Sequence, residues 1–320
     1  MTLHVALEID GAPDPADIEA LSRTARAAEQ AGFALVTLAD APLSGGRVRI
    51  EAGVRAAFLS RRTERIGLAP ELHATATEPF HLATQLASLD HASLGRAAWV
   101  IGAANTAEAL ATIGRAPLEP EALHRETADV IEVARRLWDS WEDDAVIRDV
   151  ATGRFLDRRR VHHVDFEGPT FSIVGPLITP RPPQGQVVVL GADTLGVTDR
   201  LDVALVGGDE PDAVRRRAGR ARAEGAPLVF AEVEAALTDA PDTRPATDRI
   251  RYSGPPDGLV ALLTELSGVV DGVRLHPARL DEELPILAER VLPAVAARAA
   301  GPTLRDTLGL PRPANRFATV

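Results

Sequence analysis

Residues 65–103 read RIGLAPELHATATEPFHLATQLASLDHASLGRAAWVIGA, and they predict a strand, a helix and a second strand in succession. Residues 65–72 form a short run rich in apolar side chains, as expected of a buried strand. Residues 79–89 place apolar side chains on one face at helical spacing. Residues 96–103 return to a short apolar run. Strands joined through a helix run parallel, so this stretch predicts a right-handed βαβ unit.

The same alternation continues on both sides of this unit. Further strands are predicted at residues 4–9, 34–38, 187–190, 203–206, 228–233 and 272–275. Further helices are predicted at residues 17–30, 51–60, 122–138, 209–223 and 282–299. Eight strands alternating with helices favour the α/β class, as a parallel (β/α)8 TIM barrel that takes in residues 1–320 as one domain.

Two segments depart from this alternation. Residues 142–185 carry five prolines and a run of three arginines at 158–160, so we expect an excursion, with a hairpin, inserted in one loop of the barrel. Residues 301–320 form a C-terminal tail, and its proline-rich part from Leu310 onward is expected to lie on the surface. In a barrel of this class the active site lies at the carboxyl ends of the strands.

Composition excludes several kinds of chemistry. The chain has no cysteine, which excludes a disulfide scaffold, a thiolate metal site and a cysteine nucleophile. All 35 basic residues are arginine, which excludes a Schiff-base lysine and a P-loop lysine. The net charge of −11 argues against a nucleic-acid partner. His162 and His163 lack further ligands at metal-binding spacing, so no metal site is predicted.

No targeting sequence and no membrane-spanning segment is predicted. The N-terminal residues lack a positively charged start and reach Glu8 and Asp10 after a few apolar positions. The longest uncharged apolar runs are far shorter than the roughly 20 residues that a membrane helix needs. We therefore expect a cytoplasmic protein without a membrane partner.

Several motifs together resemble one family. They are PFHLA (79–83), LDHASLGR (89–96), LWDSWEDDA (137–145), HVDFEG (163–168), FSIVGPL (171–177), PRPPQG (180–185) and TLRDTLGL (303–310). In this order and spacing they resemble the bacterial-luciferase-like flavin-dependent monooxygenases, in the branch that includes the nitrilotriacetate, dibenzothiophene-sulfone and long-chain-alkane monooxygenases. The resemblance covers nearly the whole chain and implies a luciferase-like barrel.

The resemblance also implies a two-component reaction. Reduced FMN comes from a separate flavin reductase, binds at the barrel mouth and reacts with O2, and a small organic substrate is oxidised. Relatives of this kind pair through helices, so a homodimer is implied. Strand-end residues that are mainly Ala, Val, Leu and Thr would favour an apolar or small substrate.

The family pattern transfers to a few residues of this sequence. Asp40 matches an aspartate after the second strand of the family pattern. Thr75 matches a threonine before the Pro-Phe pair, and Thr77, two residues later, is the alternative match. His124 stands where the family has a tyrosine, and Thr194 can replace a serine hydroxyl near the phosphate loop. These four residues are the predicted cofactor-binding positions.

Three histidines are candidate catalytic residues. His73 and His276 follow predicted strands, and His124 lies near the start of a helix that faces the barrel mouth. An imidazole at the mouth can serve as a general base or stabilise an oxygen intermediate. The alternative for each is a hydrogen-bonded structural histidine.

Other positions have lost the family's polar side chains, and Asp193 places a carboxylate beside the expected phosphate, where it is repulsive unless screened. The positions with lost polar groups are Val100, Ala103, Ala104, Pro120 and Leu123. Two alternatives therefore stay open. The chain could be a degenerate barrel that acts as a binding or partner subunit, or a deazaflavin (F420)-dependent oxidoreductase that transfers hydride.

Two further expectations concern the arginines and one helix start. The run at residues 158–160 and the arginines at residues 215–222 are expected to lie on solvent-exposed surfaces. Asp209 follows a Gly-Gly turn and is expected to cap the next helix.

Overall fold

The computed structural model describes residues 2–10, 17–43, 49–238, 242–297 and 301–318. Its strands, in chain order, are β1 (His4–Glu8), β2 (Leu35–Leu38), β3 (Gly67–His73), β4 (Ala98–Gly102), β5 (Val146–Asp149), β6 (Arg154–Leu156), β7 (Phe166–Glu167), β8 (Ser172–Ile173), β9 (Val188–Ala192), β10 (Val203–Val206), β11 (Leu228–Ala236), β12 (Ile250–Ser253) and β13 (Gly272–Pro277). Its helices are α1 (Ile18–Ala31), α2 (Ala52–Ser60), α3 (Pro79–Ser93), α4 (Ala107–Ala111), α5 (Pro120–Asp139), α6 (Pro211–Ala223), α7 (Pro256–Leu266), α8 (Leu280–Ile286), α9 (Leu292–Val295) and α10 (Leu304–Leu308).

Eight of these strands close into a parallel barrel. The order around it is β10-β9-β4-β3-β2-β1-β13-β11, and pairing between β10 and β11 completes the ring. Each of the eight predicted strands overlaps one barrel strand, so the predicted TIM barrel is confirmed. A ninth strand, β12, pairs in parallel with the outer part of β11, beyond the point where its pairing with β10 ends.

The apolar residues form two layers because successive side chains of a strand point to opposite faces. Val5 and Leu7 of β1 face outward, where they join the core between the sheet and the helices. Ala6 faces inward and joins a smaller cluster inside the barrel with Val100 and Leu205.

The C-terminal segment begins inside the fold. Leu304 and Leu308 of α10 belong to the inner cluster, at the amino end of the barrel, and Leu310 packs with them. The Leu304 side chain lies so close to Gly67 that a Cβ there would be 2.8 Å from it. Leu310 is therefore buried, contrary to the surface position expected for it. Residues further along lie against the end of α5, where the Asn315 amide donates to the Asp139 carbonyl.

The excursion over residues 142–185 contains two hairpins. Strands β5 and β6 form one antiparallel pair and β7 and β8 form another. The Trp141 ring nitrogen donates to the Leu177 carbonyl over 2.8 Å, which ties the two ends of the excursion together. In the chain, the excursion follows β4 and α5 and precedes β9, and β4 and β9 are neighbouring strands of the barrel.

Several elements differ from their predicted form. The predicted helix 282–299 is α8 and α9 joined by a π-helical turn, Leu287–Val291, and residues 298–300 lie outside the described part of the chain. Helix α6 begins after Glu210, not after Asp209, since Pro211 occupies its first turn, and no side chain caps it. Helices α4 and α10 and strand β12 were not predicted, and each is only four or five residues long. Helix α7 was missed although its buried leucines, Leu259, Leu263 and Leu266, recur at helical spacing.

Candidate functional site

A cavity of about 320 Å³ opens at the carboxyl ends of the barrel strands. Its lining comes from Glu71, Val100, Ile101, Ala192, Thr194, Leu205, Gly207, Arg217, Glu232, Thr247, Asp248, Arg249 and Arg274. Six of these residues carry a carboxylate or a guanidinium group, so the expected apolar lining of this cavity is wrong. The size is at the lower end of the roughly 300–1,000 Å³ that is typical of small-molecule sites.

Glu232 of β11 is the centre of the charges in this cavity. Its carboxylate contacts Arg274 Nη2 at 2.8 Å, Arg249 Nε at 3.2 Å and His276 Nε2 at 2.6 Å. Burial opposes ionisation of Glu232, but the positive charges of Arg274 and Arg249 and the His276 contact outweigh it and lower the pKa. Glu232 is therefore ionised at neutral pH and holds the two arginines at the cavity wall.

Arg274 has one hydrogen-bond donor without a partner in the described part of the chain. Its side chain is buried, and its Nε has no hydrogen-bond partner among the described residues. Oxygen Oε1 of Glu232 is buried and likewise makes no hydrogen bond there, although it is in ion-pair contact with Arg274. Buried polar atoms without partners are rare in folded proteins, and a ligand is one way to satisfy them.

Two more glutamates face the carboxyl end of the barrel. Burial and the neighbouring Asp10 carboxylate raise the pKa of Glu8 well above its usual value, and the Thr37 hydroxyl donates to Glu8 over 2.8 Å. Burial raises the pKa of Glu71, although His73 and Arg274 oppose the shift. Glu71 lines the cavity with a side chain that is 27% exposed. A partly exposed carboxyl group whose pKa is raised is a candidate for proton transfer to or from a molecule in the cavity.

Two of the predicted catalytic histidines, His276 and His73, are hydrogen-bonded to other residues of the protein through their ring nitrogens. His276 is buried and its Nε2 carries a proton, because its partner is the ionised Glu232. Burial lowers the pKa of His276 to about 4, despite the nearby Glu232. His73 contacts the Asp40 carbonyl at 3.2 Å through Nε2 and accepts from the Ala104 amide at 3.2 Å through Nδ1. Both ring nitrogens of His73 are thus in use.

His124 and Thr194 are brought together at one side of the mouth. The His124 ring lies against Gly196, so that a Cβ at Gly196 would be 3.0 Å from it. Gly196 has φ = +72°, a left-handed conformation that favours glycine. Thr194 lies two residues earlier, and its exposed side chain lines the cavity. An exposed imidazole and a hydroxyl at this position can donate hydrogen bonds to an anion.

Asp193, next to Thr194, does not face the mouth as an unpaired charge. Its side chain is fully buried and contacts two arginines of α6, with Arg217 Nε at 3.0 Å and Arg220 Nη2 at 2.7 Å. The expected repulsion of a phosphate is therefore screened. Arg217 is only 18% exposed, so it does not belong to the solvent-exposed surface expected for residues 215–222.

Asp40 and Thr75 lie outside the central cavity. The Asp40 carboxylate accepts from the Ala52 amide at 2.6 Å, which fixes the start of α2. Asp40 and Thr77 line a neighbouring cavity of about 240 Å³ that also reaches Glu71. The Thr75 side chain is buried and its hydroxyl donates to the Ala104 carbonyl over 2.7 Å. Thr77 lines this neighbouring cavity, and Thr75 and Thr77 both line a further cavity of about 350 Å³.

Sequence reasoning missed the charged residues of the barrel interior. The available signal was a charged residue at every second position near the carboxyl end of an otherwise apolar strand. Such positions are Glu232 and Glu234 in β11 and Arg274 and His276 in β13. Because alternate residues share a face, Glu232 and Arg274 could have been assigned to the inside of the mouth.

A closed parallel barrel with a polar cavity at the carboxyl ends of its strands has the architecture of a TIM-barrel enzyme. Residues 1–237 match the family model for the luciferase-like monooxygenases. The chain belongs to the luciferase-like monooxygenase family.

Three named relatives illustrate this similarity. The chain is 31% identical over 304 residues to one of the subunits of the pristinamycin IIA synthase of Streptomyces pristinaespiralis, covering 95% of this chain and 93% of that protein. It is 36% identical over 187 residues to the N-acetyl-S-(2-succino)cysteine monooxygenase of Bacillus subtilis, covering 56% of this chain. That match spans only 42% of the Bacillus protein, and the match to the dibenzothiophene-sulfone monooxygenase of Rhodococcus erythropolis spans 33% of that protein.

Solved structures have the same fold. Long-chain alkane monooxygenase superposes with a TM-score of 0.85 at 17% identity, over 97% of this chain and 96% of that one. EDTA monooxygenase from Chelativorans superposes with a TM-score of 0.83 at 20% identity, over 98% of this chain and 99% of that one. Among the described residues, no helix has the length and apolar character needed to cross a membrane.

Proposed function

We propose that this protein is a flavin-dependent monooxygenase that uses reduced FMN, supplied by a separate flavin reductase, and O2 to oxidise a small organic substrate. The observation that carries the proposal is the cavity at the carboxyl end of the barrel in a chain of the luciferase-like family. Reduced FMN supplies the electrons that activate O2, and the protein binds and orients it and keeps water away.

The residues at the mouth fit such a cofactor. Thr194 and His124 are the proposed contacts of the phosphate, since both present exposed polar side chains beside Gly196. Arg274, which lines the cavity, is the proposed donor to the polar edge of the flavin ring. Asp40 and Thr77 would border the ring from the neighbouring cavity.

Glu71 is the proposed proton-handling residue. It lies in the wall of both mouth cavities, and burial raises its pKa. His73 and His276 are proposed to act through their neighbours, because His73 has both ring nitrogens bonded to the backbone and His276 is directed at Glu232. The charged lining favours a small organic substrate with a polar group near the reacting atom.

A flavin titration tests the proposal. The purified protein is titrated without oxygen with reduced FMN, and separately with FMN and with F420, while the fluorescence or absorbance of each cofactor is followed. Binding of reduced FMN in the micromolar range with no binding of F420 is expected. If none of the three binds at about 100 μM, the proposal is wrong, since a working site binds far below that concentration.

A matched pair of variants locates the site. Thr194→Val removes one hydroxyl from the proposed phosphate contact and is expected to weaken FMN binding up to about tenfold. Thr264→Val is the control, because Thr264 is exposed on α7 and its hydroxyl donates to the Val260 carbonyl of the same helix. Equal affinities for the two variants would place the flavin elsewhere.

One observation favours a second candidate function. The relative that matches over nearly its whole length is named as a subunit of a synthase. A partner subunit that has lost flavin binding would leave all three cofactors unbound in the titration. Sedimentation of the isolated protein adds a separate readout, since the proposed monooxygenase is expected to be a homodimer and a lone subunit of a heteromeric enzyme is not.

A further inference from the structure

Exposed apolar side chains are concentrated in the excursion over residues 142–185. Nine large apolar side chains are exposed in the described part of the chain, and five of them lie in the excursion. These five are Ile147, Val150, Phe155, Val174 and Ile178. Single apolar side chains on a surface are ordinary, but a concentration of them marks an interaction site. The excursion is therefore a candidate interface.

The excursion contains two hairpins of opposite charge. Residues 146–160, which we call the basic hairpin, contain five arginines and two aspartates. Residues 163–178, which we call the acidic hairpin, contain Asp165 and Glu167 and no arginine. The five exposed apolar side chains are shared between them, with three on the basic hairpin and two on the acidic hairpin. Each hairpin thus combines an apolar surface with charges of one predominant sign.

Some of these charges are not neutralised within the chain. Arg148 and Arg158 are exposed, and neither forms an ion pair with a residue that the structure describes. Asp165 and Glu167 are exposed as well, and in the described ranges they too have no ion-pair partner. Charges of both signs are therefore available to another molecule on the same excursion.

The two hairpins start from a common base. Trp141 pairs with Val161 in an antiparallel bridge at the foot of the basic hairpin, and its ring nitrogen donates to the Leu177 carbonyl of the acidic hairpin. Among the described residues, the strands of each hairpin pair only with each other and not with the barrel. A two-stranded sheet alone is marginally stable in water, and its open edges can pair with another chain. A partner that covers the hairpins would therefore stabilise them.

We infer that the excursion is an interface between two copies of this chain, in which the basic hairpin of each copy packs against the acidic hairpin of the other. A two-fold axis makes both contacts at once, because each residue pair then occurs twice with the copies exchanged. Aromatic and arginine side chains such as Phe155 and Arg158 are typical of protein interfaces.

Charge selects a second copy of the chain over other partners. Contact between two basic hairpins would bring like charges together, which is unfavourable. A nucleic acid or an anionic membrane would attract the basic hairpin but repel the acidic hairpin beside it and a chain of net charge −11. A second copy offers an acidic hairpin to each basic one. The inference does not depend on the flavin, so it can fail without the proposed function and the reverse.

Sedimentation of the full chain over a range of concentrations tests the apolar part of the interface. The wild type is expected to associate, and Phe155→Ser is expected to raise the dissociation constant about tenfold or more, as for loss of a central aromatic contact. Val54→Ser is the matched control, because Val54 is exposed to a similar degree on α2, away from the excursion. Both replaced side chains are more than half exposed, so the barrel is expected to fold in both variants.

Exchanging charges between the hairpins tests their pairing. Arg158→Glu and Glu167→Arg are each expected to weaken association, because each places like charges across the interface. The double variant restores opposite signs and is expected to associate more tightly than either single variant. Arg216→Glu, on an exposed arginine of α6, makes the same change in net charge as Arg158→Glu and is expected to associate as the wild type does.

The outcomes that overturn the inference are distinct. A wild type that stays monomeric at about 100 μM, where even a weak dimer forms, removes the interface altogether. Association unchanged in Phe155→Ser places the contact elsewhere, and its loss in Val54→Ser would assign it to α2. Loss of association in Phe155→Ser without any effect of the charge exchanges would contradict the pairing of basic with acidic hairpins.

Discussion

At the scale of single residues, the mouth of the barrel is organised by glutamates that were not predicted to lie there. Glu232 contacts Arg274, Arg249 and His276, and among these Arg249 has a second carboxylate, Glu234, at 3.5 Å. A buried ion pair adds little net stability, but removing one partner is costly because the other charge stays buried. Glu232 is therefore central to the stability of the site.

Glu232→Gln is expected to lower the free energy of unfolding by about 3 kcal/mol, because Arg274 loses the carboxylate that neutralises it in the barrel. Chemical denaturation at neutral pH measures the change. Glu210→Gln is the matched control, as Glu210 is 61% exposed and its ion pair with Arg216 spans 4.0 Å. The control is expected to stay within about 0.5 kcal/mol of the wild type. Equal losses in the two variants would mean that Arg274 does not depend on Glu232.

His276 is expected to make stability depend on pH. Burial lowers its pKa in the folded state to about 4, below its ordinary value of 6.5. Between these values the unfolded chain binds a proton that the folded chain does not, so stability falls as the pH drops from 6.5 toward 4. Above pH 6.5 the residue is neutral in both states and contributes no slope.

His276→Gln removes this titration and keeps a donor for Glu232. Between pH 7 and pH 5 the unfolding free energy of the wild type is expected to fall more steeply than that of the variant, by at most about 1.4 kcal/mol per pH unit. His81→Gln, on an exposed residue of α3, is expected to retain the wild-type slope. Parallel curves for wild type and His276→Gln would show that His276 is accessible to protons in the folded state.

At the scale of elements, the barrel strands were predictable and the parts around the mouth were not. Apolar runs in the eight strands are long enough to be recognised, since each is buried on both faces. Strand β12 and helix α10 gave no such signal, because their places depend on distant partners, β11 for one and the barrel floor for the other. Loop geometry, which an apolar pattern does not encode, decides how each side chain of the pair Thr75 and Thr77 is placed: the Thr75 hydroxyl donates to the Ala104 carbonyl, and Thr77 lines the neighbouring cavity.

Loop 247–249, which precedes β12, forms one wall of the mouth through a close backbone contact. The Gly208 amide donates to the Asp248 carbonyl over 2.9 Å, and Thr247 and Arg249 line the cavity. A Cβ at Gly207 would lie 1.8 Å from the Asp248 carbonyl oxygen. That atom belongs to the backbone, so the wall must move if Gly207 gains a side chain.

Gly207→Ala is therefore expected to displace the wall and weaken flavin binding tenfold or more, on the order of the loss of one to two mouth contacts. Gly219→Ala is the matched control, since none of the described residues lies within 4 Å of its Cβ position on α6. This control is expected to bind flavin normally and to gain roughly 0.5–1 kcal/mol of stability, as for glycine replaced by alanine in a helix. Normal flavin binding in Gly207→Ala would exclude loop 247–249 from the site.

At the scale of the whole molecule, the two ends of the barrel differ. The amino end is packed with apolar side chains, and the carboxyl end carries the proposed site. Helix α10 closes the amino end with Leu304 and Leu308, and Arg305 anchors it through the Gln186 carbonyl at 2.7 Å and Asp202 at 3.0 Å. The opposite end carries the charged cavity. The central claim is that reduced FMN occupies the carboxyl end, with its phosphate beside Thr194.

Hydrogen–deuterium exchange with and without reduced FMN, under anaerobic conditions, tests this claim most directly. Protection is expected at residues 71–77, 192–196 and 247–249, which surround the mouth, and none is expected at residues 304–308, which close the other end. Protection confined to α10 or to the outer helices, or no protection at a saturating concentration, would contradict a flavin site at the carboxyl end of the barrel.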